Sequence, residues 1–503
     1  MNLLKNNMNI EKKYIIKNAT IVDGIGSEKF SADILVENGI IKEIGQLNNI
    51  DCHIIDAENN VVSPGFIDVH SHDDIALIVY PEMDFKVMQG ITTVINGNCG
   101  NNVIPRHGTL ERWQTRYPDN PIPEWNSYDE YINLINSIKP SVNSAFMVGH
   151  GSVRNGSGLK NEHRLPTNNE YDLMKGWIRE GMEAGAVGFS TGLIYEPGRY
   201  ASSEEIIELT KEISKYKGVY CSHMRNEGDD LLLSIEETIN IGQKSETSVE
   251  ISHHKVSGKD NWGLSKSSLD MIHQARKNGI NVHSDQYPYT AAQSALFAIH
   301  QNNAFTDGKG GLGKVDGDKI LIAHSPVNKE YEGKKLSEIC DEFDLPEQEA
   351  AEKLLSTDPY ILAVIESMCD EDLINILLDP YTMIGSDGVP ASGANPHPRL
   401  YGCFPKILGK YVRDEKLLSL EDAVYKMTGL PAKKFNLNDR GTIETGKVAD
   451  LVIFDPETIE DLATYDNPRV YPKGIKHVVV NGNFVVENSK HTGSRVGEII
   501  KRS

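Results

Sequence analysis

Cysteine is scarce in this 503-residue chain: Cys52, Cys99, Cys221, Cys340, Cys369 and Cys403 are scattered and contain no CxxC pair. Such spacing excludes a small secreted scaffold stapled by disulfides. Long apolar runs are missing as well, and stretches such as Ile75 to Tyr80 are far too short to cross a bilayer. The opening MNLLKNNMNIEKKY is polar and has no signal-peptide core. Positive charge is outnumbered, with 51 Lys plus Arg against 72 Asp plus Glu, a net charge of −21. That balance argues against a surface for nucleic-acid phosphates or anionic lipid, while a cleft of local positive charge could still take a small anion. Together the absences predict a soluble, cytoplasmic globular protein without nucleic-acid or membrane partners; nothing speaks to its oligomeric state.

Against these absences stands a regular organisation. The length suits about three domains, or one large barrel with additions. The first sixty or so residues read as short strands broken by turns: YIIKNATIVDG, DILVENGIIKEIG and HIIDAENNVVSPG, with Asn-Gly and Asp-Gly as hairpin signals. The C-terminal part echoes them in Gly446–Asp455, Ile475–Val480 and Asn483–Val486. We expect 1–62 and 437–503 to form one small β-sandwich from both termini. Between them, strand-like runs at Gly65–Val69, Thr92–Asn96, Ala145–Gly149, Val187–Ser190, Val219–Ser222, Val249–His253, Asn281–Asp285 and Met383–Ser386 alternate with helical patterns such as Asn168–Ala184, Ser203–Tyr216, Asp230–Lys244 and Ser267–Asn278. This order predicts a (β/α)₈ TIM-like barrel over 63–436, since parallel strands need covered faces and right-handed crossovers. The interval from about 288 to 380 is too long for one crossover and reads as an insertion beside the barrel mouth. Its KGGLGKVDGDK stretch looks like loop, and Leu336 to Leu378 looks helical.

Chemistry on such a barrel gathers at the C-terminal strand ends, and the polar residues fall there. The first strand runs into Asp68-Val-His70-Ser-His72, where alternate residues of an extended segment point the same way and can share a metal. The second leads to Cys99 between Gly97 and Gly100, the fifth to His223, the sixth to His253-His254-Lys255 and the eighth to Asp387. Each has an ordinary explanation as a packing or capping residue; their coincidence at successive strand ends points to one shared metal centre. Mixed His, Cys and Asp donors favour Zn²⁺. Zinc lowers the pKa of a bound water to roughly 7, and Asp387 is placed to accept its proton and return it to a leaving nitrogen. His254 reads as a residue orienting a ligand from behind.

His70-x-His72, Cys99 in GNCG, His223 in SHMRNEG, His253 in ISHHK and Asp387 in GSDG together resemble the amidohydrolase superfamily, and more narrowly its D-aminoacylase (N-acyl-D-amino-acid deacylase) branch. SPGFIDVHSHDD, GAVGFSTGLIYEPG, SDQYPYT, HPRLYGCFPKILGKYVR and GTIETGKVADLVIFD extend the likeness over about residues 10 to 490. The resemblance implies one tightly bound zinc on Cys99, His223 and His253, a weaker adjacent site with His70, His72 and Asp387, and Asp387 as the catalytic residue. It further implies hydrolysis of N-acyl-D-amino acids to a carboxylate and a free D-amino acid. A substrate with a free carboxylate needs cations at the mouth, and Lys255, Arg225 and Arg399 are candidates. Tyr195, Lys255 and Tyr287 look like the family's carboxylate-binding set. The Thr290–Lys319 stretch is shorter than the family's insertion and lacks its LPPW-like segment, so a different lid is expected. The alternatives are a cyclic-amide hydrolase of the dihydroorotase or hydantoinase kind and a non-catalytic scaffold of the same fold.

Overall fold

Eight parallel strands in sequential order make the central sheet: Phe66–Asp68, Ile91–Asn96, Asn143–Gly149, Gly188–Gly192, Val219–His223, Ser248–Ile251, Val282–Gln286 and Thr382–Ile384. The computed structural model describes residues 13–502 apart from 49, 107–109, 303, 306–309 and 394. The polar N-terminal segment up to residue 12, and Lys309 in the Gly-rich stretch, lie outside the described residues. The first and last strands meet just beyond their ends, where Ser71 bridges Gly388 in parallel and the Asp387 amide donates to the His70 carbonyl at 2.8 Å. A nearly closed (β/α)₈ barrel results. Its strands are buried on both faces, as alternate residues show. Ile95, Ala145, Met147 and Val219 pack inside with Leu430 and Phe435, while Val94, Phe146, Val148 and Tyr220 pack outward against helix residues such as Ile178 and Ile206.

The helices follow from local signals. Asn168–Ala184 starts on a capping box in which the Thr167 hydroxyl accepts from the Glu170 amide, and it stops at Gly185 with φ 114°. Two predicted strands end early. The sixth ends at Ile251 and the eighth at Ile384 because the chain then turns into the left-handed region, at His253 with φ 37° and Asp387 with φ 48°.

Strands from the two ends of the chain interleave in one nine-stranded sheet in which Leu451–Phe454 pairs with Val61–Pro64. Tyr14, Ile34, Val62, Leu451 and Val479 share its core. The two Asn-Gly pairs of this sheet make hairpins with φ positive at each residue, 52° and 81° at Asn38-Gly39 and 49° and 73° at Asn481-Gly482.

The insertion has its own antiparallel sheet, with Leu362–Glu366 between Ala291–Ala295 and Ile320–His324. This corrects the expectation of helix throughout Leu336 to Leu378. Helices span Leu336–Phe343, Glu347–Thr357 and Asp370–Leu378, but Pro359 follows the second and the β-branched LAVIE run forms the middle strand. The Gly-rich segment is loop from 310 to 316 and then a short 3-10 turn at Gly317–Lys319, and its glycines permit close approach to the barrel rim. A Cβ on Gly228 would lie 2.4 Å from the Gly313 nitrogen, and one on Gly258 would lie 2.8 Å from the Gly313 Cα.

Candidate metal centre

Cys99 sits at the middle of the site in a left-handed conformation, φ 54°, between Gly97 and Gly100. Neither glycine can be replaced without collision, since a Cβ on Gly97 would stand 2.3 Å from the Met147 carbonyl oxygen. Three donors, Cys99, His253 and Asp387, thus occupy backbone conformations that L-residues rarely adopt, an arrangement that surrounding packing has to hold in place. The Cys99 Sγ lies 3.3 Å from His70 Nε2, 3.6 Å from His223 Nδ1 and 3.6 Å from His253 Nε2. Tetrahedral zinc, with Zn–S about 2.3 Å and Zn–N about 2.0–2.1 Å, separates sulfur and nitrogen donors by about 3.5 Å, so the spacing fits that ion. Three close sets of donors result: His70, Cys99 and His253; His70, His72 and Asp387, which shares His70; and His223, Glu227 and His253, which shares His253. His72 Nε2 is 3.2 Å and His70 Nε2 3.6 Å from Asp387 Oδ1.

Electrostatics favour the ligating forms. Burial would raise the Cys99 thiol, yet the His70 charge and hydrogen bonds with His223 and His253 hold it well below its ordinary value. Asp387 is likewise pulled well below the usual carboxylate range against burial, first by Arg399 and then by His70. The Arg399 guanidinium is buried with one nitrogen 2.9 Å from Asp387 Oδ2, an ion pair outside hydrogen-bond alignment.

A ring of partners behind the donors was not foreseen. Asp285 Oδ2 is 3.2 Å from His70 Nδ1, and its Oδ1 accepts from the His253 amide at 3.0 Å. Glu227 Oε1 is 3.0 Å from His253 Nδ1 and accepts from Lys255 Nζ at 2.5 Å. Each carboxylate engages the ring nitrogen turned away from Cys99, leaving the other free to ligate. Two signals were available: Glu227 lies four residues past His223, and Asp285 ends the seventh strand expected from the sequence, two residues before Tyr287. Deeper still, Asp68 accepts from the Ser386 amide at 2.7 Å, the Ser386 hydroxyl at 2.6 Å and Lys86 Nζ at 2.7 Å, tying the first strand to the turn that carries Asp387. No local pattern marks this buried network.

The structure brings His72, Cys99, His223, His253 and Asp387 to one cavity with Tyr195, Lys255 and Tyr287, while His70 lies fully buried beneath it. The Tyr287 hydroxyl is buried without a hydrogen-bond partner among the described residues, and the Tyr195 hydroxyl meets Ser294 Oγ at 3.2 Å. Three expected residues are placed differently. Arg225 does not line the cavity; Glu237 takes its guanidinium at 3.0 and 3.1 Å, and the Arg199 and Ala201 carbonyls take the rest. Arg399 reaches the site through Asp387 and over the Tyr287 ring, 4.3 Å from its centroid, rather than from the wall. His254 faces away, its Nε2 3.0 Å from Ser268 Oγ on a surrounding helix, because adjacent residues of the turn point to opposite sides. Burial and then Lys255 bring its pKa down to about 4.

Comparison with known proteins agrees with this geometry. A model of the amidohydrolase family matches residues 53–262 and 379–486. D-aminoacylase of Alcaligenes xylosoxydans xylosoxydans is 36% identical over 97% of both chains. The crystal structure of N-acyl-D-glutamate deacylase from Bordetella bronchiseptica, complexed with zinc and a phosphonate inhibitor that mimics the tetrahedral intermediate, is 34% identical, with TM-score 0.88 over 97% of this chain and 99% of that one. A D-aminoacylase structure reported with a binuclear metal centre gives 36% identity and TM-score 0.87 over 97% and 99%. This chain belongs to the amidohydrolase family, within its D-aminoacylase branch.

Proposed function

We propose that the chain hydrolyses the amide bond of N-acyl-D-amino acids, giving a carboxylate and a free D-amino acid, with zinc held by Cys99, His223 and His253 and a weaker second position at His70, His72 and Asp387. The observation that carries this reading is the sulfur and imidazole cluster around Cys99 sharing a cavity with Asp387 and Lys255. When bound there, zinc supplies Lewis-acid polarisation and an activated water at neutral pH. The chain's own residues do the rest. Lys255, with the Tyr287 and Tyr195 hydroxyls, holds the substrate's α-carboxylate by charge-assisted hydrogen bonds. Asp387, ionised by its contact with Arg399, accepts a proton at its carboxylate and returns it to the departing amine nitrogen. Asp285 and Glu227 fix the tautomers of His70 and His253. Likeness to N-acyl-D-amino-acid deacylases along almost the whole chain supports linear amides.

A hydrolysis panel tests this reading: N-acetyl-D-amino acids, their L counterparts and dihydroorotate, each with the zinc-loaded protein. Turnover of D-substrates well above L, with dihydroorotate untouched, is expected. Faster cleavage of dihydroorotate, or of L-substrates alone, would overturn it.

A further inference from the structure

Gln293 is a polar residue of the cavity wall to which the reaction described above assigns no part. It lies on the insertion strand Ala291–Ala295, lines the same cavity as Cys99 and Asp387, and is 8% exposed. Its Nε2 and Oε1 are both buried, and neither has a hydrogen-bond partner among the described residues. A buried carboxamide with donor and acceptor both unspent is costly, and such a group is explained when a ligand completes it. The neighbouring Ser294 is already engaged with Tyr195, so that pair does not relieve it.

The charges around it restrict what could complete it. Among the described residues, the insertion's part of the lining is otherwise small or apolar, chiefly Phe297, Leu312, Leu362 and Ile365, and contributes no Lys or Arg. Elsewhere the lining carries Arg116 and Lys255 against the carboxylates of Asp74, Glu196, Glu227 and Asp387, and Lys255 is already bonded to Glu227. With Lys255 committed to the α-carboxylate, a second carboxylate on the substrate would lose its water and find no cation on this wall among the described residues.

The geometry points to Gln293 as the residue that selects the substrate's side chain, an inference that rests on the deacylase reading. The insertion wall takes an uncharged side chain, and a primary carboxamide best, because that group offers both the carbonyl oxygen and the NH₂ that the Gln293 amide lacks. N-acyl-D-glutamine and N-acyl-D-asparagine are the substrates with that chemistry. Acidic side chains are disfavoured.

Values of kcat/KM for N-acetyl-D-glutamine, N-acetyl-D-leucine and N-acetyl-D-glutamate, measured on the full zinc-loaded chain, test the assignment. Wild type should prefer D-glutamine over D-glutamate by about tenfold or more, and in Gln293→Leu the D-glutamine to D-leucine ratio should fall by about tenfold or more. The wild-type comparison stands even if the variant folds poorly. A preference for D-glutamate, or a ratio within about twofold of wild type in a folded Gln293→Leu protein, would overturn the role of Gln293 and leave the deacylase reading intact. If wild type cleaves none of the D-substrates in either panel, the deacylase reading fails and this inference fails with it.

Discussion

The donor crown at the barrel mouth and the insertion beside it face one cavity and are built in opposite ways. In the crown, Cys99, His253 and Asp387 hold left-handed backbone conformations, and buried carboxylates such as Asp285 and Glu227 stand behind the imidazoles. The insertion has an ordinary three-stranded sheet over an apolar core of its own, including Leu296, Ile322, Leu336 and Ile365. In the crown these features serve the part that handles the reaction, where a shift of a fraction of an ångström separates a donor from its metal. The wall that meets the side chain carries little charge, so its residues can change without disturbing the donors.

Substitutions can break or sharpen this contrast. The largest effect belongs to Asp387→Asn, which should lower kcat by about 10³-fold while zinc content by elemental analysis stays at the wild-type level. Near-normal turnover would remove Asp387 from proton transfer. One layer out, Glu227→Gln leaves every donor in place and should weaken zinc by about 10- to 100-fold in a chelator competition. The same variant has a pH signature. Despite burial, Lys255 and then His223 hold the Glu227 carboxyl below its unfolded value of about 4.3, so its stabilising contribution is complete at neutral pH and is lost as pH falls through the folded value. Wild-type melting temperature should therefore drop more steeply than that of Glu227→Gln between about pH 5 and pH 3. The smallest effect is expected at Arg225→Met, outside both regions. Its half-exposed pair with Glu237 contributes about 1 kcal/mol or less to stability, and kcat/KM should stay within about twofold of wild type. A large loss of activity there would bring Arg225 back into the site.

The crown was legible in the sequence because its donors follow short buried strands whose order is simple, so HxH, Cys99, His223, His253 and Asp387 could be placed on one rim before any coordinates. What escaped depends on direction or distance. His254 follows His253 immediately, yet the turn sends its ring to the opposite side, toward Ser268. Arg225 sits near a donor in sequence, but Glu237, nearly two turns into the following helix, claims it. Asp68 and Ser386, 318 residues apart, meet only after the barrel has closed. In the insertion, the strand at Leu362–Glu366 exists because two remote strands flank it, a pairing no local window contains.

Zinc K-edge X-ray absorption on the purified protein bears most directly on the centre itself. It should show zinc with one sulfur neighbour at about 2.3 Å and nitrogen or oxygen neighbours at about 2.0–2.2 Å, and the sulfur shell should vanish in Cys99→Ser. Fully active protein without zinc, or with zinc that lacks a sulfur neighbour, would contradict the assignment of Cys99 as the ligand at the heart of the site.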